Sequence, residues 1–332
     1  MKKSIISGNE LSKKELEDLI ELSTALKKNP LKYSNTLRHK RLLLLFQKSS
    51  TRTRAAFELG MKGLGGDTVV MDWEKSNLAI SPIKYEAAFL SRVFDGVIAR
   101  LVKNEDMREL GNSLSIPSIN GCCNLYHPSQ ALADFMTVYE TNGSFDTSLC
   151  YVGVQNNVAN SLVLVGVKLG VKLVFVTPLK DPVPAEVKKI LSSVAKTNGI
   201  SRNEQGEGGS KQGHTVWKIP FTETGDLAFA VSNCRYVYTD TWINMELFNK
   251  EEYRDKKEER IKTMLPYQIN KKLIENKNVY IMHDMPVHPG FEIDKYAITC
   301  DRSLILQQAE NRLYTAQALL LRLLRPDFRI NF

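Results

Sequence analysis

Apolar and polar positions fall into blocks along this chain, with short continuous apolar runs each followed by an amphipathic stretch. Such runs, bounded by turn residues, predict strands covered on both faces, and their alternation with helical stretches predicts parallel sheets. The first series is "RLLLLF" (41–46), "GDTVVM" (66–71), "DGVIAR" (95–100) and "IPSIN" (116–120). The second is "SLCYVGV" (148–154), "KLVFV" (172–176), "RYVYT" (235–239) and "NVYIMH" (278–283). The expected fold class is α/β, with two doubly wound domains, each a parallel sheet flanked by helices, joined by inter-domain helices. A boundary is expected near the helix at 129–139 and the "TNGS" turn after it, which gives one domain over 1–139 and a second over 140–307. The last helix, roughly 308–324 within the segment 308–332, is long enough to pack back on the first domain. Two regions break the rhythm. Residues 201–214 are Gly-rich and polar and read as a surface insertion, and 250–262 mix charges at helical spacing and read as a solvated helix face.

Composition narrows this picture only a little. At 332 residues and 43% hydrophobic the chain can fill two domains. The net charge of +8 comes from lysines and arginines spread among acidic residues. It therefore suits a small anionic substrate as well as it suits nucleic acid, and no basic helix or aromatic platform stands out. Five cysteines without a C-x-x-C pair predict free thiols in a reducing compartment. The first residues lack a signal-peptide apolar core, and no run approaches the roughly 20 residues that span a bilayer, so no membrane partner and a cytoplasmic location are expected.

Candidate chemistry enters at "QKSSTRTRAAFELG" (47–60), which crowds four hydroxyls and two arginines where a strand turns into a helix. Free N–H groups and the helix dipole favour an anion there, and guanidinium forks suit phosphate. A well-capped helix with two solvated arginines accounts for the same residues about equally well. In doubly wound sheets ligands gather at the carboxyl ends of strands. Arg100 ends the third run, and His127, Pro128 and Gln130 open the helix after the fourth. Three polar groups at successive strand ends offer a dianion positive charge, with a His and an amide beside it for a carbonyl oxygen and an amide group.

The motifs "STRTR", "HPSQALAD", "NNVANS", "DTWINM" and "AENRL", in that order and at compatible distances, resemble the aspartate and ornithine carbamoyltransferase family, its ornithine branch in particular. The resemblance covers nearly the whole chain apart from 201–214. It implies carbamoyl transfer from carbamoyl phosphate to an amine, with no metal, no organic cofactor, and a homotrimer with sites at subunit boundaries. Carried over, it assigns the phosphate to Ser50, Thr51, Arg52 and Thr53 with Arg100 beside them. It gives the carbamoyl oxygen or amide to His127, Gln130 and Arg312. In the second domain it implies Asn157 for the α-carboxylate of an amino acid and Asp240 for its α-ammonium, with L-ornithine the favoured acceptor and L-citrulline the product. A helix cap is the structural alternative for Asn157.

Two departures bear on the acceptor. Where the ornithine branch reads Ser-Met-Gly after the tryptophan, this chain has Asn244, Met245 and Glu246, and where it reads His-Cys-Leu-Pro, this chain has His283, Asp284, Met285 and Pro286. A carboxylate at Asp284 beside the reacting amine favours its ammonium form unless the carboxylate takes the proton itself. Asn244, Met245 and Asp284 thus join Asn157 and Asp240 as the expected amine-binding set. Catalysis is expected to fall to His127, Arg100, Arg312, Asp240 and Asp284. A different amine acceptor is the nearest rival reading, followed by a non-catalytic ligand-binding relative. The loop that a neighbouring subunit donates in this family, here 74–82, matches poorly and yields no residue.

Overall fold

The computed structural model describes residues 4–197, 221–244 and 247–328; the 201–214 insertion and Met245 lie outside the described residues. Among the described residues two five-stranded sheets form, and every strand pair in them is parallel. The first is built from β1 (Ser4–Ile5), β2 (Arg41–Phe46), β3 (Asp67–Asp72), β4 (Gly96–Arg100) and β5 (Ser118–Cys122) in the order β1-β5-β4-β2-β3. The second is built from β6 (Ser148–Gln155), β7 (Lys172–Lys180), β8 (Phe221–Glu223), β9 (Tyr236–Thr239) and β10 (Tyr280–His283) in the order β10-β9-β6-β7-β8. Each order reverses direction once, between β2 and β4 and between β6 and β9. A crevice opens outside the carboxyl ends at such a point.

Strand β2 shows why its leucines run without interruption. Leu42 and Leu44 face one core and Leu43 and Leu45 the other, all essentially inaccessible to water. Each such side chain contributes roughly 1.5–3 kcal/mol on burial, so a polar substitution at any of the four has no solvated face to turn to. β1 and β8 are too short to leave a periodic signature in the sequence. The strand expected at 116–120 lies two residues later, since Pro117 has no N–H to give the ladder and offers only its carbonyl, to Val97.

The helices that join the halves are unusually dry. Helix Pro128–Asn142 is buried over its first eleven residues and stops at Gly143, whose φ of +75° only glycine adopts cheaply. It crosses helix Asn157–Leu169 at Gly166, where an added Cβ would come within 2.6 Å of the Phe135 ring. Helix Ile305–Leu324 starts three residues earlier than the pattern predicts and packs on Lys13–Lys28, Arg52–Gly63 and Pro128–Asn142. No described helix is long and apolar enough to cross a membrane, and all five cysteines are free.

Candidate active site

The two switch points face one cleft of about 540 Å³. From the first sheet, the residues after β2 bring Ser50, Thr51, Arg52 and Thr53 to its wall, β4 brings Arg100, and the segment after β5 brings His127. Thr51 starts helix Arg52–Gly63 without a side-chain cap bond, so its hydroxyl is not spent on the helix. The two arginines divide. Arg54 points to solvent and pairs with Glu58, whereas Arg52 turns into the cleft and donates through Nη2 to the carbonyl of Met285 in the other half.

Arg312 arrives from the middle of the last helix. Its Nη2 donates to Thr53 Oγ1 at 2.5 Å and lies 3.4 Å from His127 Nε2. Burial, and then the charges of Arg52 and Arg100, bring the Arg312 guanidinium down to about 10, still cationic at neutral pH. Three guanidinium groups therefore share one wall, and the Nε atoms of Arg52 and Arg100 are buried with no acceptor. Asp284 offsets part of their repulsion, and a bound anion would offset more. Burial and then the same three arginines push the His127 imidazole well below its ordinary value, so it is neutral. Its backbone N–H is fixed by Ser161 Oγ at 2.8 Å and its Nδ1 lies 3.4 Å from Ser129 Oγ. Gln130 does not reach the cleft. It is fully buried one turn into the helix, with Nε2 on Asp134 Oδ1 at 2.8 Å and Oε1 unpaired.

The second sheet supplies the opposite wall: Asn156 and Asn157 after β6, Asp240 after β9, Asn244 in the loop beyond, and Asp284 after β10. The helix cap in this motif is Asn156, whose Oδ1 accepts from the N–H groups of Val158 and Ala159 while Nδ2 donates to Asp240 at 2.5 Å. Asn157 instead donates to the Cys123 carbonyl at 2.8 Å and so ties the two halves together. Asp240, His283 and Asp284 bring oxygen and nitrogen atoms within 4.8 Å of one another. His283 is engaged on both sides, with Nδ1 2.8 Å from the Met285 nitrogen and 3.4 Å from Asp284 Oδ1 and Nε2 3.2 Å from Glu292 Oε1; burial works against its charged form, but the two carboxylates outweigh it and raise the imidazole to about 9, so at neutral pH it is protonated and has no lone pair for a metal. Burial, and then the Asp284 charge, raise Asp240 well above the ordinary carboxylate range. Burial also works against ionised Asp284, but His283, the Asp240 proton and Arg52 outweigh it and hold Asp284 below that range. The pair thus carries one proton, on Asp240, and one negative charge.

The cleft combines a cationic end, a neutral imidazole beside it, and an acidic end across from both. Of the expected residues the structure brings together Ser50, Thr51, Arg52, Thr53, Arg100, His127, Arg312, Asn157, Asp240, Asn244 and Asp284. It adds Asn156, Asp181, Trp242 and Arg260. Asn156 had a sequence signal as the residue before a helical run, but Arg260 had none, since it lies in the charged stretch that otherwise faces solvent.

The chain matches the carbamoyl-P binding domain of aspartate/ornithine carbamoyltransferase over residues 3–140 and the Asp/Orn binding domain over 146–323. It is 34% identical to ornithine carbamoyltransferase of Archaeoglobus fulgidus, covering 99% of both chains, and 35% identical to that of Listeria monocytogenes, covering 96% and 94%. The solved structure of ornithine carbamoyltransferase from Pyrococcus furiosus superposes with a TM-score of 0.82 at 30% identity, over 99% of this chain and 98% of that one. With both domain matches in order over almost its whole length, this chain belongs to the aspartate/ornithine carbamoyltransferase family.

Proposed function

We propose that the protein transfers the carbamoyl group of carbamoyl phosphate to the side-chain amine of L-ornithine, giving L-citrulline and phosphate. The observation that carries this is the triple-arginine wall facing a carboxylate pair across one cleft. Arg52, Arg100 and the hydroxyls of Ser50, Thr51 and Thr53 hold the phosphate. Arg312 and the neutral His127 meet the carbamoyl oxygen and stabilise the charge that develops on it in the tetrahedral state. Gln130 supports them from behind, with Asp134 fixing its amide.

An ornithine ammonium with a reference pKa near 10.4 needs roughly 4 kcal/mol to reach its free-amine form at pH 7.4. Asp284 faces that group, and Asp240 beside it takes the α-ammonium of the same substrate. When the pair is fully ionised it can accept the ammonium proton, the free amine attacks the carbamoyl carbon, and the C–O bond to phosphate breaks. Of the two protons the nitrogen loses, one leaves on the departing phosphate and one through the carboxylates to solvent. Asn157 and Asn244 complete the amino-acid half of the wall, with Met245 beside them in the motif.

The division into a carbamoyl phosphate domain over 1–139, carrying the last helix, and an amino-acid domain over 140–307 follows from the same reading. So do a cytoplasmic enzyme without cofactor and a homotrimer. In favour of assembly, Leu59, Val69, Ile80, Tyr85 and Phe89 are large apolar side chains left exposed on the first half, around edge strand β3 and the 74–82 loop. Incubation with carbamoyl phosphate and a panel of amines, followed by detection of ureido product, tests the activity. Citrulline from ornithine, at a rate well above that for putrescine, is expected; preference for another amine would leave only the carbamoyl phosphate half standing.

A further inference from the structure

The short segment that carries His127 belongs to the first sheet, yet the half built on the second sheet grips it along its whole length. Residues 123–127 link β5 to helix Pro128–Asn142. Asn157 Nδ2 donates to the Cys123 carbonyl at 2.8 Å, and Asn160 Nδ2 donates to the Leu125 carbonyl at 3.1 Å. The Tyr126 hydroxyl donates to Glu186 Oε1, and the His127 N–H donates to Ser161 Oγ at 2.8 Å. Asn157, Asn160 and Ser161 all stand at the start of helix Asn157–Leu169, in the motif expected to serve the amino acid. Asn160 and Ser161 are fully buried, so their side chains serve the fold and the segment, not a ligand directly.

Of these bonds, the one from Ser161 acts on His127 itself. The His127 carbonyl is taken by its own helix, accepting from the N–H groups of Gln130 and Ala131 at 3.1 and 3.3 Å, and the Tyr126 carbonyl accepts from the Cys123 N–H at 2.9 Å. With the His127 N–H on Ser161, both peptide groups that flank its Cα are tied, which sets the direction of its Cα–Cβ bond. The ring itself is held loosely, 3.4 Å from Ser129 Oγ and 3.4 Å from Arg312 Nη2, so the backbone does most of the aiming. We infer that Ser161 is a positioning residue: through the His127 N–H it directs the imidazole at the carbamoyl oxygen, so a helix of the amine-binding half sets the geometry of the carbamoyl phosphate half. This rests on the carbamoyl transfer proposed above and holds whichever amine accepts. Without the hydroxyl, a buried N–H loses its acceptor and the peptide shifts to find another, and a displacement of about 1 Å is enough to cost roughly 100-fold in rate.

The test is a double-mutant cycle on kcat, with carbamoyl phosphate and ornithine as substrates. Ser161→Ala should lower kcat roughly 10- to 100-fold and leave carbamoyl phosphate affinity, read by calorimetry, within a few-fold of wild type, because the phosphate contacts lie elsewhere. In the His127→Asn background the same substitution should change kcat by no more than about twofold, since no imidazole is left to misdirect. A purely structural role for Ser161 predicts the same loss in both backgrounds. Ser161→Cys, which keeps a weak acceptor in nearly the same volume, should lose less, and it carries the cycle if the Ala variant does not fold. If no amine in the panel is carbamoylated, the proposed activity fails, and the ring NMR signals of His127 still decide Ser161. Those signals, assigned by their loss in His127→Asn, should shift on addition of carbamoyl phosphate in the wild type and shift less in the Ser161 variant. An unchanged kcat in a folded variant, equal losses in the two backgrounds, or identical ring shifts overturn the assignment of Ser161.

Discussion

Replacing Asp284 by Asn removes one of two carboxylates that face each other in a dry wall, and the structure sets the size of the effect. Their oxygens lie within 4.8 Å, so at an effective dielectric constant of about 20 two full charges repel by about 3.5 kcal/mol, or about 2.5 pKa units. In the wild type that repulsion, added to burial, keeps a proton on Asp240. In Asp284→Asn it disappears, Asp240 ionises at much lower pH, and the net charge of the pair at neutral pH stays near minus one. Ornithine affinity at pH 7 should therefore change little for so large a chemical change, while the rising limb of kcat/KM against pH moves acidward by about two units. Stability follows the same sign. Asp240 is raised in the folded state, so the stability it confers is present in acid and is lost as pH rises through its folded pKa. The variant escapes that loss, and its melting temperature relative to wild type should climb as pH rises. Activity profiles and thermal scans between pH 5 and 9 measure both. A limb that stays in place, with a melting difference flat in pH, would refute the shared-proton pair.

Arg52→Ala removes a charge-assisted contact and should weaken carbamoyl phosphate binding by about 2–5 kcal/mol with the fold retained, as calorimetry would show. His127→Asn should lower kcat by roughly 100- to 1000-fold with a smaller change in KM for carbamoyl phosphate. The same variant should be less sensitive to acid: wild-type His127 is held neutral, so only its unfolded chain takes up a proton below about pH 6.5, and folding stability drops there. Gly166→Ala drives a methyl to 2.6 Å from the Phe135 ring and should cost about 1–3 kcal/mol, seen as an earlier denaturant midpoint. Dialysis against EDTA should leave turnover unchanged, and activity restored by zinc would show that His283 does give up its Met285 contact.

What the sequence made legible was whatever rests on period or on chain-local chemistry. β2 and β6 are readable because two buried faces require unbroken apolar runs, and the helix start after β2 because hydroxyls cluster there, but the local sequence does not separate Arg52, which enters the cleft, from Arg54, which pairs with Glu58 in solvent. The two short strands were silent, as a pair of residues has no period. The helix cap falls to Asn156 and not to Asn157, because adjacent asparagines are equivalent until the helix start is fixed to one residue. Gln130 was read into the cleft from its motif, but whether a side chain one turn into a helix faces ligand or core depends on Asp134, Gln308 and Tyr238, which meet only in the folded chain. Arg260 could not be seen at all, since ten neighbouring charged residues offer the same local signal.

The last helix carries a consequence for how the enzyme is made. Gln308 accepts from the His283 N–H and Arg312 grips Thr53, some 260 residues earlier in the chain, while Asn311 binds Thr137 and Lys27. Both sheets can form during translation from residues already outside the ribosome, but the cleft lacks its third guanidinium and its brace on β10 until the segment after residue 304 emerges and docks. The cleft is therefore complete only once that helix has docked. A chain that stops short of residue 305 lacks both Arg312 and the Gln308 brace on β10, so the two walls of the cleft lose the element that touches each of them.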